Sequence, residues 1–186
     1  FAVDLRTGKV KWQVSHFPWM NKVYRIVMHG KQAVFEVSSL NDHDSGNGIH
    51  VLSSETGKLA WEMDFPPGMN HARQARAMFA GENMWILHGG KENTKTKEGT
   101  TRAAILVSSL DPKTGRVLKT LPAGLAHCFP PVATPRYVFA GVLDMTDMET
   151  GDVVANRITK ANCSRENGWV PANGLIYTTP KHCTCW

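Results

Sequence analysis

Four cysteines fall in the last third of the chain: Cys128, Cys163, Cys183 and Cys185, two of them next to histidine in His127-Cys128 and His182-Cys183-Thr184-Cys185. Thiols and imidazoles in this company support a disulfide staple, a metal or haem contact, or free thiols. An even count confined to one region favours the staple. Cys183 and Cys185 bond to each other only with strain, because a disulfide wants Cα atoms about 4.4–6.8 Å apart and an extended strand opposes that. At least one of them is therefore expected to reach Cys163 or Cys128. The metal reading stays open, although the Cys-x-x-Cys knuckle of structural zinc sites is missing. No Cys-x-x-Cys-His occurs, which excludes covalent c-type haem attachment within this chain.

The stretch Asn41-Asp42-His43-Asp44-Ser45-Gly46-Asn47-Gly48 packs oxygen ligands and glycines together and invites calcium. It lacks the bidentate carboxylate that closes a full calcium loop, for which Glu55 is the nearest substitute, and such sequences are first of all turns. The 8 histidines are dispersed at positions 16, 29, 43, 50, 71, 88, 127 and 182 and form no zinc-protease spacing. Nucleophile-elbow, phosphate-loop and dinucleotide motifs are also missing. No catalytic, cofactor-binding or metal-binding residue is assigned from these patterns.

The elements that must carry these residues follow from an internal repeat. Asp4-Leu5-Arg6-Thr7-Gly8-Lys9-Val10-Lys11-Trp12 returns as Ser54-Glu55-Thr56-Gly57-Lys58-Leu59-Ala60-Trp61, as Leu110-Asp111-Pro112-Lys113-Thr114-Gly115-Arg116-Val117 and, more weakly, as Asp147-Met148-Glu149-Thr150-Gly151-Asp152-Val153-Val154. Each copy reads as strand, tight turn, strand: glycine supplies positive φ, and the acidic or hydroxyl residue bonds the turn backbone. The Trp supplies apolar area for packing between neighbouring units. The glycines stand 49, 58 and 36 residues apart. Strand-built repeats of about 40–50 residues are propeller blades.

The fold expected is all-β: propeller blades of four antiparallel strands, about three to four of them, forming the C-terminal part of a larger ring. Residues 1–15 are expected to be the remnant of one blade, 16–66 and 67–122 two blades, and 123–186 a degenerate, cysteine-bearing closing blade. Predicted strands include Val23–Met28, Gln32–Val37, Gly48–Leu52, Ala75–Phe79, Met84–His88 and Ala103–Val107. The polar stretch Gly89–Arg102 reads as a long, mobile hairpin loop. An apolar blade face is expected to lie open at the N-terminal end.

Composition adds bounds. Of 186 residues, 42% are hydrophobic and 20% charged, ordinary values for a globular protein with a core. No apolar run reaches the roughly 18 residues of a membrane helix. The formal charge of +5 comes from scattered lysines and arginines, dense only around 91–102, so a solvated surface is expected and no nucleic-acid partner.

The Asp/Glu-x-x-Thr-Gly-Lys/Arg-Val-x-Trp phrases resemble the repeat of the PQQ-binding-like, or quinoprotein-like, β-propeller superfamily, over essentially the whole chain. The runs Ala133-Thr134-Pro135-Arg136-Tyr137, Cys163 to Tyr177 and Pro180-Lys181-His182-Cys183-Thr184-Cys185-Trp186 are similar to an exported, uncharacterised bacterial branch of it. The resemblance implies an eight-bladed or similar ring and a periplasmic or otherwise exported location. It also implies a non-catalytic scaffold for protein or ligand binding, as in outer-membrane-assembly propellers. The expected partners are the other blades of the same chain, a protein partner or a fused domain.

The alternative is a segment of a PQQ-dependent alcohol or sugar dehydrogenase with its catalytic residues upstream. Such enzymes carry an adjacent Cys-Cys pair and a calcium-ligand set. Neither matches here, so no cofactor is expected in this segment, PQQ with calcium being the alternative. A ligand in a propeller sits at the funnel, for which His71, Arg73, Arg76, Arg136 and Arg165 are the candidate contacts, chosen for polarity near predicted strand ends. Their competing role is hydrogen bonding at the surface or between blades.

Overall fold

The computed structural model describes residues 1–37, 47–66, 75–95, 101–125, 131–140, 144–155 and 169–178. These residues form antiparallel sheets in simple chain order, each strand pairing with the next. β1 (Ala2–Val3) and β2 (Val10–Trp12) make a two-stranded sheet. β3 (Val23–His29), β4 (Gln32–Val37), β5 (Asn47–Ser53) and β6 (Leu59–Phe65) make the first four-stranded one. β7 (Arg76–Ala80), β8 (Asn83–Lys95), β9 (Thr101–Leu110) and β10 (Val117–Leu125) make the second. β11 (Val132–Ala133), β12 (Tyr137–Ala140), β13 (Asp144–Asp147) and β14 (Val153–Ala155) make the third, and β15 (Trp169–Ala172) pairs with β16 (Leu175–Thr178). We call the three four-stranded sheets blades A, B and C. The single helical turn among the described residues is the 3-10 turn Met20–Lys22.

The Thr-Gly phrase closes the last hairpin of each blade, and all copies use the same bonds. The glycine N–H donates to the carbonyl four residues back, Gly8 to Asp4, Gly57 to Ser53, Gly115 to Asp111 and Gly151 to Asp147, each at 2.8 Å. That residue's own N–H donates across the turn to Lys9, Lys58, Arg116 or Asp152, each at 2.9 Å. The side chains of Asp4, Asp111 and Asp147 accept turn amides from Thr7, Lys113 and Glu149 at 2.8–2.9 Å. Those amides hold all three carboxyls below their ordinary range. Ser53 takes the same place in the second copy with a longer bond to Glu55 N–H, 3.3 Å.

Consecutive sheets are then locked by tryptophan. The Trp12 indole N–H donates to the Ser54 carbonyl at 2.9 Å, and the Trp61 indole to the Pro112 carbonyl at 2.8 Å. The rings lie on the turn glycines, so close that a Cβ on Gly57 would stand 2.6 Å from Trp12 and one on Gly115 2.7 Å from Trp61. Both glycines have φ near +70° (70° and 71°), so two independent constraints exclude a side chain there. Between blades A and B the core joins Val34, Val51 and Trp61 to Ala77, Ile86 and Leu110. Between B and C it joins Trp85, Leu87, Ile105 and Val107 to Val138 and Met148.

Three findings refine the expectations. Residues 89–95 and 101–102, read as loop, are strand: Asn93 pairs with Ala103, Thr94 with Arg102 and Lys95 with Thr101 beyond a bulge after Gly89. The two facing segments satisfy each other's backbone N–H and C=O groups, which polar composition alone does not reveal. Within 123–186 the described strands are the end of β10, blade C and the β15–β16 pair. Finally, the outer face of blade A is only partly open. Phe17, Trp19 and Met20 cover Ala33, Phe35, Val37 and Leu52, while Ile26 and Met28 of β3 remain 54% and 59% exposed.

Replacing Trp61 by Ala removes both ring and hydrogen bond and is expected to lower stability by about 3–5 kcal/mol, read from urea unfolding. Gly115→Ala is expected to destabilise as well, because it meets the same ring from the other side. An unchanged urea midpoint in either variant contradicts the docking described here.

Candidate functional site

Arg76 and Arg136 are the funnel candidates that fall among the described residues; His71, Arg73 and Arg165 lie outside them. So do Cys128, Cys163, Cys183 and Cys185, and residues 41–46 of the Asp/Asn-rich stretch. Arg76 opens β7, at the end of blade B opposite its Thr-Gly turn, whereas Arg136 precedes β12 at the Thr-Gly end of blade C. The topology therefore keeps the two apart.

Arg76 belongs to a polar joint between blades A and B. β7 is an edge strand, and its outward backbone groups would be orphaned without help. Side chains of blade A supply it. The Tyr24 hydroxyl donates to the Ala75 carbonyl at 2.6 Å, Arg25 donates to the Ala77 carbonyl at 3.4 Å, and the Ala77 N–H donates to Glu36 Oε1 at 2.7 Å. Arg25 also pairs with Glu36 at 2.8 Å, and Arg76 approaches the second carboxylate oxygen to 3.8 Å while its guanidinium lies 4.9 Å from the centre of the Tyr24 ring. Glu36 is fully buried. Burial raises its pKa, opposed by Arg25, the Ala77 N–H, Tyr24 and Arg76 in that order. Burial likewise raises the Tyr24 phenol far above its ordinary value. This geometry gives Arg76 the blade-to-blade role.

Arg136 clamps a turn. Its Nε and one terminal nitrogen both donate to Asp147 Oδ2, at 3.0 and 2.9 Å, and Asp147 is the anchor of the fourth Thr-Gly turn. These bonds to Asp147 raise the already high pKa of the guanidinium.

Two clusters were not singled out from sequence. In blade B, His88 Nδ1–H donates to the Gly89 carbonyl at 2.9 Å, which leaves Nε2 to accept the Ser108 hydroxyl at 2.8 Å; Ser108 in turn accepts from Thr120 at 2.8 Å. The tautomer follows from the network, since a carbonyl cannot donate. A serine against a histidine resembles a nucleophile with its base, but Ser108 and His88 are buried, with Phe65 of blade A against the imidazole. Burial lowers the His88 pKa. In blade A, His50 Nδ1 faces Glu62 at 2.9 Å and its ring stacks on Trp19 with centroids 4.1 Å apart, beside a groove of about 320 Å³. The available signal was parity: His50 and His88 sit in otherwise apolar strands, one residue out of phase with the core-facing Val51 and Leu87.

Among the described residues no three His, Cys, Asp or Glu side chains converge into a metal-binding group. Larger openings lie at the Thr-Gly end. One of about 890 Å³ runs between blades A and B past His29, Lys31, Glu82, Lys113 and Arg116. Another of about 520 Å³ runs between B and C.

No family model matches the chain, and no curated protein does. Among solved structures it is similar to BamB from Moraxella catarrhalis, with 12% identity and a TM-score of 0.33, over 82% of this chain and 56% of that one. A likeness of that size carries no argument about activity, and the architecture rests on the sheets themselves. No helix among the described residues is long and apolar enough to cross a membrane.

His88 yields a pH prediction. Its folded pKa lies below the unfolded value near 6.5, so the folded state binds fewer protons in that window. Its contribution to stability is complete above about pH 6.5 and is lost as pH falls below it. Melting temperature is expected to drop between pH 7 and 5, with a shallower drop in His88→Asn; parallel profiles would remove His88 as the cause.

Proposed function

We propose that the chain is a non-catalytic β-propeller scaffold segment, exported, that presents its turn face and inter-blade grooves to a protein or small ligand. One observation carries this reading. Two groups suited to acid–base work among the described residues are spent on structure: Glu36 takes the Ala77 N–H of blade B and pairs with Arg25, and His88 bonds Gly89 and Ser108 within blade B. Both are buried and meet no opening on the Thr-Gly face. What that face offers is a rigid set of identical turns with grooves between them, suited to recognition.

The discriminating assay adds PQQ and Ca²⁺ to the protein and follows dye reduction with alcohols and sugars. No turnover and no change in melting temperature are expected; turnover would replace the scaffold reading with a dehydrogenase. Export carries a second test, because an oxidising compartment allows disulfides among Cys128, Cys163, Cys183 and Cys185. Alkylation before and after reduction, followed by mass spectrometry, is expected to reveal at least one pair protected until reduced. Equal labelling in both arms would overturn the staple.

A further inference from the structure

The repeat permits a residue-by-residue comparison of consecutive blades. On blade A, Val34, Val51 and Trp61 stand side by side across β4, β5 and β6. All three are packed in the apolar core facing blade B. On blade B the same row across β8, β9 and β10 is Trp85, Ser109 and Lys119. The equivalence is set by the turns: Trp61 and Lys119 each follow their turn glycine by four residues, and Val51 and Ser109 each precede it by six.

Lys119 retains one half of the tryptophan's task. Its ammonium donates to the Met148 carbonyl, three residues before Gly151, just as the Trp61 indole donates to Pro112, three before Gly115. It does not supply the ring's volume. Leu121 covers Gly151 instead, 3.2 Å from where a Cβ would be, and the groove of about 520 Å³ between blades B and C takes the remaining space. Trp85 and Ser109 line its inner side, with Leu118, Lys119, Arg136 and Glu149 also on its wall.

Ser109 supplies the second observation. It is 3% exposed and lies on the same face of β9 as the core residues Ile105 and Val107. Its side chain lines the groove, where a hydroxyl can both donate to and accept from a ligand. An ammonium has three donors, of which Met148 takes one, and this one stands 5.4 Å from the centre of the Trp85 ring. A row that is wholly apolar at one junction thus becomes an aromatic, a hydroxyl and a cation at the next, and local departures of this kind mark functional sites.

We propose that this groove binds a monocarboxylate bearing a small apolar group. Lys119 and Ser109 hold the carboxylate, and Trp85 and Leu118 take the apolar part. Arg136 is neutralised by Asp147 and adds donors more than net charge, while Glu149 disfavours dianions. The volume lies within the range of small-molecule sites. The proposal rests on the scaffold reading and gives it one ligand class.

The test titrates phenylacetate into the protein by calorimetry. Saturable binding with a Kd of about 1 mM or tighter is expected, with succinate and inorganic phosphate at least about tenfold weaker. Lys119→Trp, which rebuilds the blade A row, is expected to raise the melting temperature and abolish binding, and Lys119→Met to abolish binding without filling the groove. An acetylated dipeptide ending in phenylalanine separates the two sources of the ligand: equal affinity assigns the groove to protein C-termini, loss of affinity to free small acids. No saturable heat with phenylacetate, or undiminished binding in both Lys119 variants, overturns the site. Either result leaves the dye-reduction test of the scaffold reading untouched.

Discussion

The architecture depends on one contact made across sheets: an indole ring laid on a turn glycine that has neither a Cβ nor a negative φ. Trp12 on Gly57 and Trp61 on Gly115 join the outer strand of one sheet to the outer hairpin of the next. The ring brings apolar burial, and its single N–H has one carbonyl to reach, so distance and orientation are set together. Because the same residues that shape the turn also make room for the ring, turn geometry and inter-sheet spacing cannot drift independently. Repetition of a coupled unit of this kind produces a quasi-one-dimensional stack in which each sheet is stabilised by its neighbours.

The inner side of that stack has a different problem. First strands are sheet edges, and their outward N–H and C=O groups need partners that a purely apolar neighbour cannot give. Between blades A and B the partners are Tyr24, Arg25 and Glu36. Burying Glu36 is unfavourable by itself, which is why its pKa rises, and two arginines with one backbone amide offset it. Outer contacts are thus made by indole on glycine and inner contacts by charge on backbone. Both are specific, and together they fix the angle between sheets more firmly than apolar packing alone would.

What the sequence made legible follows from this division. The outer contact leaves a compact trace, since glycine, threonine, an Asx or hydroxyl residue and tryptophan lie within nine positions of one another. The strands between them were legible as apolar and β-branched runs bounded by turn residues, Gln32–Val37 to the residue. The inner contact leaves none, because Tyr24, Glu36 and Ala77 are far apart in the chain and meet only when two sheets are placed. Arg76 was noticed for its charge, yet its partner Glu36 was hidden inside a run that reads as core. The strand pairing at 89–95 and 101–102 leaves no trace in composition, because a polar paired strand and a polar loop share residue types and differ only in pairing.

The third junction shows how such a scaffold diversifies. Its constraints are separable: a donor to one carbonyl, a cover for one glycine, and volume between two sheets. At the first two junctions a single tryptophan meets all of them. At the third, Lys119 is the donor, Leu121 the cover and Trp85 part of the volume, with the rest left as groove. Register is preserved, since the hydrogen bond and the glycine contact survive, while the freed space acquires Ser109 and a cation. Function can therefore be placed at one junction without disturbing the repeat, provided the position that loses its ring keeps a donor of the right length. Lysine, with a long stem and three donors, is one of few side chains that satisfies that condition.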